Sequence, residues 1–546
     1  MKSASNKLDC WKPSKAEKGG GNTHKGIEAM KKTEDVFKPI TSTAPCSPWF
    51  EKELSKRDWL EQAYEFEPLL VSTFPSIDDF SDYVLEEISD IQEIGKRPRA
   101  RYALKQILLN LYVGHQAGVP IYYSRNRNNY THPRRYDLLF FKYDRMTRLI
   151  DALEKMDFIE QYIGLRNQKN GHGRMTRMYP KNDLGNVFDK ISEGNENIVK
   201  KSPKHELIEL KNSEKERIDY IDNDFTNNSR NNLILYNEYI SENNVVYNLN
   251  EDTPVSIASL ETLIHRLLNG EASLIQVEVT SNEEKISDTS CNNNIKTIVD
   301  IILSMTKIFL ETEFEPSIEK IKSKNLLLKD FGISNISFSI NYKNLHRVFN
   351  QSSFDLGGRF YGATYQNLKK EWRKYLCINN EPVIEPDYSS LHIRMLYHLE
   401  NINYRDNPYE ILCNDIEEKK LFKIVQLVSI NAKNESMAIH GIKNKFISSG
   451  ITDKHTLLDT TILEYLNRFK EGHKRIMKYI HSGKGIELQN MDSEITNNIL
   501  MRLIKKDICS LPVHDSYICE RRHEGLLKEA MEEEYEKVMG FKPIIA

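Results

Sequence analysis

The sequence lacks several features by which common classes of protein are recognised. Its seven cysteines form no C-x-x-C pair, which argues against a structural zinc site and a disulfide framework and indicates a reducing compartment. No apolar run approaches the roughly 20 residues of a membrane-spanning helix, and the polar N-terminus carries no apolar signal segment. The phosphate-binding pattern G-x-x-x-x-G-K-[ST] is absent, so an ATPase or helicase finds no support. We therefore expect a cytoplasmic protein without a membrane partner.

The chain also lacks a strong overall charge. Its 76 Lys and Arg residues nearly balance 79 Asp and Glu residues, and the formal net charge is −3. Any affinity for nucleic acid must therefore come from local basic surfaces. With 546 residues, of which 39% are hydrophobic, the chain is long enough for several domains with sizeable cores.

Composition and hydrophobic periodicity divide the chain into parts of different character. Residues 1–50 are rich in Lys, Gly, Ser, Thr and Pro and are expected to form a disordered tail. Within the later parts, helical patterns cover Ile257–Leu268 and Ile295–Leu310. The expected parts after the tail are a DNA-binding domain (51–185), an Asn-rich linker (186–255), a helical region that could serve as a thumb-like element (256–350) and a catalytic domain (351–546).

The first informative part is strongly basic. Residues 96–148 contain twelve Lys or Arg residues against two acids. Hydrophobic spacing predicts helices over Tyr102–Gln116 and Asp144–Met156, followed by strands over Phe158–Ile163 and Arg174–Tyr179. The predicted order is therefore helix, turn, helix and a basic two-stranded ribbon.

This layout over residues 96–180 resembles a winged helix-turn-helix domain, a family of DNA-binding folds. The interpretation places Arg145 and Arg148 on a helix that faces a DNA groove, and Arg174 and Arg177 on a wing that contacts phosphates. A winged helix that docks a protein and a solvated basic face are the alternatives.

Two acidic residues far apart in the sequence carry the main chemical hypothesis. Asp387 lies near the end of a short, partly apolar run and precedes a helical pattern that begins at Leu391. Asp515 lies in a polar tip between two apolar runs, which predicts a β-hairpin over residues 511–518. We expect the two acids to meet. At about 4 Å two carboxylates repel by roughly 4 kcal/mol, so such a pair would shift a pKa or bind divalent cations.

Basic residues accompany the two acids in the same part of the chain. Lys419 and Lys423 lie one turn apart on a predicted helix, Glu417–Ile430, where they repel each other unless an anion binds. Two adjacent glycines allow a tight turn that presents Arg359. Acids for metal ions, cations for a triphosphate and an upstream DNA-binding module together indicate nucleotidyl transfer. Simpler roles compete: a helix N-cap for Asp387, an ordinary hairpin turn, and a solvated lysine face.

The motifs occur in the order found in a known family. They resemble the palm and fingers of family A DNA polymerases and of the related single-subunit phage RNA polymerases. Residues 387–394 (DYSSLHIR) are similar to motif A, residues 419–432 (Lys-x3-Lys-x7-Asn-Ala) to motif B, and residues 514–516 (HDS) to motif C. Residues 488–493 (LQNMDS) resemble the helix before motif C. Covering residues 351–546, the resemblance implies an α+β right-hand palm, a small antiparallel sheet with helices, with reduced fingers.

The resemblance also implies a mechanism, two-metal phosphoryl transfer. Asp387 and Asp515 would be the metal ligands and catalytic residues, holding two Mg²⁺ ions (or Mn²⁺) with the backbone carbonyl of Tyr388. Lys419 and Lys423 would grip the nucleoside triphosphate, and Lys423 would protonate the pyrophosphate. The further expected contacts are Tyr388, His392 and Asn431 with the nucleotide, and Arg359, Gln489 and His514 with the primer–template DNA.

Departures from the family pattern leave the preferred sugar open. Lys419 replaces an arginine, and Asn431 with Ala432 replaces the usual Tyr-Gly. His392 stands where DNA polymerases of this family usually carry a glutamate that excludes ribose.

Taken together, the motifs predict a template-dependent polymerase that adds nucleotides to a primer 3′ end, with a DNA polymerase for plasmid or mobile-element replication as the leading hypothesis. An RNA polymerase or primase, a non-enzymatic DNA-binding replication initiator and a metal-dependent nuclease are the alternatives.

Overall fold

The computed structural model describes most of the chain after the N-terminal tail. The described residues are 56–88, 97–138, 140–164, 174–192, 198–279, 323–413, 416–449 and 458–546. The expected tail, the predicted helix Ile295–Leu310 and the loop between the two predicted ribbon strands lie outside them. Among the described residues, no helix is both long enough and apolar enough to cross a membrane.

The protein has a mixed α and β architecture. The helices are α1 Lys56–Glu61, α2 Pro75–Glu87, α3 Arg97–Ala117, α4 Tyr143–Lys155, α5 Asn182–Ser192, α6 Asp224–Glu242, α7 Ile257–Leu268, α8 Lys370–Arg373, α9 Leu391–Leu399, α10 Ile416–Asn431, α11 Glu435–Ser448, α12 Asp459–Gly472, α13 Gly485–Ile504 and α14 Glu524–Met539. The strands are β1 Tyr64–Glu65, β2 Leu70–Val71, β3 Ile121–Tyr123, β4 Ile159–Tyr162, β5 Thr176–Pro180, β6 Lys200–Lys201, β7 Ile208–Leu210, β8 Val245–Asn250, β9 Pro254–Val255, β10 Ala272–Val279, β11 Leu326–Leu327, β12 Ile333–Ile340, β13 His346–Asn350, β14 Ser353–Tyr361, β15 Leu376–Ile378, β16 Glu381–Ile384, β17 Ser510–Val513 and β18 Ser516–Glu520.

The expected DNA-binding domain (51–185), called the N-terminal unit below, contains the predicted helices and ribbon strands. Helix α3 is buried along most of its length, and α4 buries Met146, Leu149, Ile150 and Leu153 at helical spacing. Strands β4 and β5 pair antiparallel and belong to a sheet of order β1-β3-β5-β4. The short turn expected between the two helices is replaced by a longer connection, in which β3 and two short 3₁₀ helices separate α3 from α4. Strand β3 pairs with β5, so the connection is part of the sheet.

The prediction of a linker over residues 186–255 is wrong for its described part. Helix α6 lies there and buries Leu233, Tyr236 and Ile240, which are spaced three and four residues apart. Asn223 caps the helix, accepting a hydrogen bond from the Thr226 amide at 2.9 Å. The many asparagines hid this apolar stripe, because Asn is a poor residue inside helices but a good one at their start.

The expected helical region, residues 256–350, is only partly helical. Helix α7 covers the predicted Ile257–Leu268. The described residues after it form mainly the strands β10, β12 and β13. In β12 the buried residues Ile336, Phe338 and Ile340 are spaced two apart, so they pack one sheet face against the core.

A seven-stranded sheet carries the C-terminal part of the protein. Its order is β10-β12-β8-β15-β16-β18-β17, and neighbouring strands pair antiparallel. Helix α6 supports the end of this sheet, since the Tyr236 hydroxyl donates to the carbonyl of Ser510 in β17 at 3.0 Å. Helix α6, in the segment expected to be a linker, therefore packs against strand β17 of the hairpin.

The described residues form two hydrophobic cores that meet at the β17–β18 hairpin. Ile518 belongs to the core that includes the N-terminal unit and most of the large sheet. Its neighbours Tyr517 and Cys519 belong to the core formed by the C-terminal helices. Because successive strand residues face opposite sides, β18 separates the two cores and fixes the hairpin between them.

Candidate functional site

The backbones of Asp387 and Asp515 lie side by side. Strand β16 runs antiparallel to β18, and the pairing continues beyond β16 as a bridge between Asp387 and Ser516. The amide of Tyr388 donates to the carbonyl of Asp515 at 3.2 Å. Asp515 is in the turn between β17 and β18, next to His514, whose φ is 58°. The predicted hairpin is thus present, and its tip reaches the segment that contains Asp387.

A further backbone segment fixes Asp387 from the other side. The amide of Ala546 donates to the carbonyl of Asp387 at 2.9 Å, and the amide of Ser389 donates to the carbonyl of Ile544 at 2.9 Å. The Asp387 backbone is therefore held between the hairpin and residues 544–546. Its carboxylate is 36% exposed and lies 3.4 Å from the ammonium of Lys370.

A buried ion pair braces the strand that leads to Asp387. Arg373 and Glu385 form a 2.6 Å contact, and both side chains are largely buried. Glu385 also accepts a hydrogen bond from the Ser516 hydroxyl at 2.8 Å. Removing one partner of such a pair leaves a buried charge, which typically costs about 3–5 kcal/mol. The brace thus fixes the register between the Asp387 segment and the hairpin.

Arg359 is presented by a bulge in β14, not by the tight turn predicted from its two glycines. The pairing of β14 with β13 skips Gly358, and both Gly357 and Gly358 have positive φ, 79° and 82°. A Cβ atom at Gly358 would lie 2.6 Å from Cε1 of Phe349 and 3.0 Å from Oγ of Ser493. The missing side chain therefore allows β14 to pack closely on Phe349 of β13 and on helix α13.

A buried acid on α13 holds the Arg359 guanidinium. Nε and one terminal nitrogen of Arg359 donate to Oδ2 of Asp492 at 3.0 and 2.7 Å. The Asp492 side chain is 2% exposed, and its Oδ1 has no hydrogen-bond partner among the described residues. Burial raises the pKa of the Asp492 carboxyl to about 6, against the opposing effect of the Arg359 charge. The pair lines a small cleft together with Thr496 and His514.

The same guanidinium contacts His392, the residue that departs from the DNA polymerase pattern. A terminal nitrogen of Arg359 lies 3.3 Å from Nε2 of His392. Because a guanidinium only donates, Nε2 accepts, and the ring proton of the neutral imidazole is assigned to Nδ1. Burial, reinforced by the Arg359 charge, lowers the pKa of His392 to about 3. Arg359 therefore links Asp492 on α13 to His392 on α9.

The predicted lysine helix is present as α10, and Tyr409 packs against it. The Tyr409 hydroxyl donates to Gln426 of α10, and the Lys419 ammonium lies 5.8 Å from the centre of the Tyr409 ring. Lys423 is exposed on the same helix. Asn431, at the end of α10, packs against Gly485 at the start of α13. Gln489 is half-buried on α13.

The side chain of Tyr388 does not suit the nucleotide contact expected for it. It is buried, and its hydroxyl donates to the carbonyl of Met531 at 2.7 Å. Burial raises the pKa of Tyr388 well above its usual value. Only the Tyr388 backbone remains a candidate for the site.

The four arginines expected to contact DNA differ in their environment. Arg148 is exposed on α4, and Arg145 is half-buried and donates to the Phe140 carbonyl at 3.1 Å. Arg174 is half-buried at the start of the ribbon. Arg177 is 7% exposed and donates to the carbonyls of Leu60 and Met175, so the expectation that it reaches phosphates is wrong. Its position in β5 points the guanidinium into the unit.

Several site residues were not predicted from the sequence. Lys370 and Arg373 belong to a basic run at residues 369–374 (KKEWRK), and that run was the available signal. Glu385 precedes Asp387 by two residues and could have been tested as a same-face partner. The role of Asp492 could not be read from the sequence, because its partner Arg359 lies on a distant strand.

Asp387 and Asp515 are the residues of this arrangement that could hold a divalent metal ion. Asp387 and Asp515 offer hard oxygen ligands from adjacent backbone segments, with the Asp387 carboxylate open to solvent. The described residues contain no group of three or more His, Cys, Asp or Glu side chains placed to hold a metal ion. Magnesium often binds through one or two carboxylates, with water and substrate phosphates as the remaining ligands, so two carboxylates fit that pattern.

Comparisons with known proteins leave the family open. No family model and no curated protein matches the sequence. Among solved structures, the chain is similar to the POL domain of Pol1 from M. smegmatis, solved in complex with a DNA primer-template and dNTP. The TM-score is 0.23 and the identity 12%, over 59% of this chain and 63% of that chain. The match spans less than two thirds of that structure, and a TM-score of this size does not establish a shared fold.

Proposed function

We propose that this protein is a template-dependent nucleotidyltransferase that extends a primer 3′ end, a DNA polymerase of the family A type. The observation that carries the proposal is the juxtaposition of Asp387 and Asp515, which are 128 residues apart in sequence yet adjacent through backbone pairing. The order of the sequence motifs around them supports the same reaction. Replication of a plasmid or mobile element in the cytoplasm is the setting that this proposal favours.

In the proposed site, Asp387 and Asp515 would hold two Mg²⁺ ions, and Mn²⁺ would suit the same oxygen ligands. The bound metal supplies charge neutralisation for the triphosphate and lowers the pKa of the primer 3′-hydroxyl. Arg373 and Glu385 keep the two carboxylates in register. Tyr388 contributes its backbone carbonyl only.

The cationic side chains of the site bind the substrates. Lys419 and Lys423 bind the phosphates of the incoming nucleotide, and Lys423 protonates the pyrophosphate that leaves. Asn431 is proposed to contact the incoming nucleotide. Arg359 contacts the primer–template, and Gln489 and His514 are proposed as further DNA contacts. This assignment fits a guanidinium that is oriented by Asp492 before DNA arrives, because a prepositioned donor loses less entropy on binding.

Contact with the nucleotide sugar is proposed for His392. Its Nε2 accepts from Arg359, which leaves the Nδ1–H as a donor for a sugar hydroxyl. Exchange of His392 for glutamate should shift the ratio of dNTP to rNTP incorporation. An unchanged ratio of dNTP to rNTP incorporation would show that His392 does not select the sugar.

The N-terminal unit is proposed to be a winged helix that brings the enzyme to duplex DNA. The order α3, β3, α4, β4, β5 with a β4–β5 ribbon supports this assignment. Arg148, Arg145 and Arg174 are the proposed DNA contacts, and Arg177 is no longer among them.

Primer extension tests the proposal. The purified protein is incubated with a labelled primer–template, Mg²⁺ and either dNTPs or rNTPs, alongside Asp387→Ala and Asp515→Ala. We expect each substitution to reduce incorporation by about a hundredfold or more, because each removes one of two metal ligands. Asp355→Asn, an exposed acid on β14, is the matched control and should retain activity.

The alternatives give different results in the same assay. Incorporation that survives loss of either acid refutes the two-carboxylate site. Synthesis from an unprimed template with rNTPs assigns the protein as an RNA polymerase or primase. Binding to duplex DNA without incorporation of any nucleotide indicates a replication initiator with a degenerate palm, and degradation of the primer indicates a nuclease.

A further inference from the structure

A lysine outside the recognised motifs contacts the proposed metal ligand. Lys370 begins the short helix α8, and its ammonium lies 3.4 Å from Oδ2 of Asp387. The lysine side chain is 67% exposed, and the carboxylate is 36% exposed. A positive charge thus already lies beside the carboxylate for which the proposed function requires a metal ion.

The backbone around Lys370 is well anchored, although the side chain is not. Trp372 is buried, and its indole nitrogen donates to the carbonyl of Pro254 at 2.8 Å. Arg373 is committed to Glu385 in the buried brace. Helix α8 is therefore held in place, while the exposed stem of Lys370 can carry its ammonium a few ångströms without moving the backbone.

We propose that Lys370 is a nucleotide-binding residue, which pairs with Asp387 in the free protein and moves to the triphosphate when a divalent cation and nucleotide bind. This inference rests on the proposed function. A divalent cation at Asp387 repels the ammonium at this distance. The phosphate oxygens that accompany the cation provide a new negative partner for the same ammonium.

The proposal predicts effects of opposite sign on two ligands. Replacing Lys370 by glutamine removes a competing positive charge, so Mn²⁺ alone should bind about two- to fivefold more tightly, the range of an exposed ion pair. The same substitution should weaken binding of a non-hydrolysable dNTP analogue, in the presence of primer–template and Mn²⁺, by about tenfold, as expected for loss of a charge-assisted hydrogen bond. A general structural defect would weaken the binding of both Mn²⁺ and the nucleotide analogue.

Lys374→Gln is the matched control. Lys374 belongs to the same basic run and is exposed, but its ammonium lies 4.8 Å from the centre of the Tyr375 ring. The control should change neither affinity, and Lys370→Arg should restore both because it keeps the charge.

The experiment measures Mn²⁺ binding by electron paramagnetic resonance and nucleotide binding by fluorescence titration, on the full-length protein. Tighter Mn²⁺ and weaker nucleotide binding in Lys370→Gln, with Lys374→Gln unchanged, supports the proposal. Unchanged nucleotide affinity, or weaker Mn²⁺ binding, in Lys370→Gln overturns the proposed role of Lys370. The proposed function stands in that case, provided that the wild type binds nucleotide. Failure of the wild type to bind any nucleotide overturns both.

Discussion

The close packing of β14 on α13 makes a prediction about Gly358. In Gly358→Ala, the new Cβ would lie 2.6 Å from Cε1 of Phe349 and 3.0 Å from Oγ of Ser493, at a φ of 82°. The left-handed backbone alone costs a non-glycine residue about 1–2 kcal/mol. Overpacking at a tight interface adds about 1–3 kcal/mol. We therefore expect the free energy of unfolding to fall by about 2–5 kcal/mol.

A second glycine separates the cost of the left-handed backbone from the cost of overpacking. Gly540 has a φ of 73° and no heavy atom within 4 Å of a built Cβ, so Gly540→Ala should lose only about 1–2 kcal/mol. Urea unfolding, followed by tryptophan fluorescence, compares the two variants with the wild type. Equal losses in the two variants would refute the close packing of Gly358 against Phe349 of β13 and Ser493 of α13.

The same substitution should also affect activity. Gly358 is next to Arg359, so the shift that relieves the contact with Phe349 moves the guanidinium away from Asp492. Primer extension by Gly358→Ala should therefore fall by about tenfold or more even where the protein is folded, as expected when a positioned contact is displaced by about 1 Å. Gly540→Ala should retain wild-type activity.

Two further predictions concern stability at low pH and DNA binding. His473 is a fully buried residue at the end of α12. Burial lowers the pKa of His473 to about 4, against about 6.5 in the unfolded chain. The stability that this group contributes above pH 6.5 is therefore lost as the pH falls through 4, by about 3 kcal/mol. His473→Gln should flatten the decline of the urea midpoint between pH 6.5 and 4.5, and an unchanged slope contradicts the assignment. Arg148→Gln should weaken binding to duplex DNA of any sequence and reduce the salt slope by about 1, whereas Arg177→Gln should instead lower stability. Equal DNA affinity of Arg148→Gln and wild type in a salt titration would remove α4 from the interface.

Elements with strong local signals could be predicted from the sequence. The hairpin at Asp515 follows from apolar runs on both sides of a polar tip, and α7 and α10 follow from hydrophobic spacing. The helix α6 was missed because its apolar stripe is diluted by asparagines, so composition outweighed periodicity. Its helical form is stabilised by packing under β17, which the local sequence does not encode.

The residues of the candidate site also differ in how far they could be predicted from the sequence. Asp387 and Asp515 were recognisable because each lies in a compact motif at a strand end. Their supporting residues were not recognised. The role of Asp492 depends on Arg359, which lies 133 residues away in the sequence. Lys370 lies in a basic run close to Asp387, but the sequence does not show that its side chain reaches that carboxylate. Arg177 was misassigned because strand alternation alone does not tell which face of a ribbon covers a core.

The central claim is that Asp387 and Asp515 together bind the metal ions of a polymerase. Anomalous diffraction from crystals grown with primer–template, a non-hydrolysable nucleotide and Mn²⁺ tests it directly. The account predicts Mn²⁺ bound directly by carboxylate oxygens of both Asp387 and Asp515. The account would be contradicted if the bound Mn²⁺ contacted only one of the two carboxylates. It would also be contradicted if no Mn²⁺ were bound at either carboxylate.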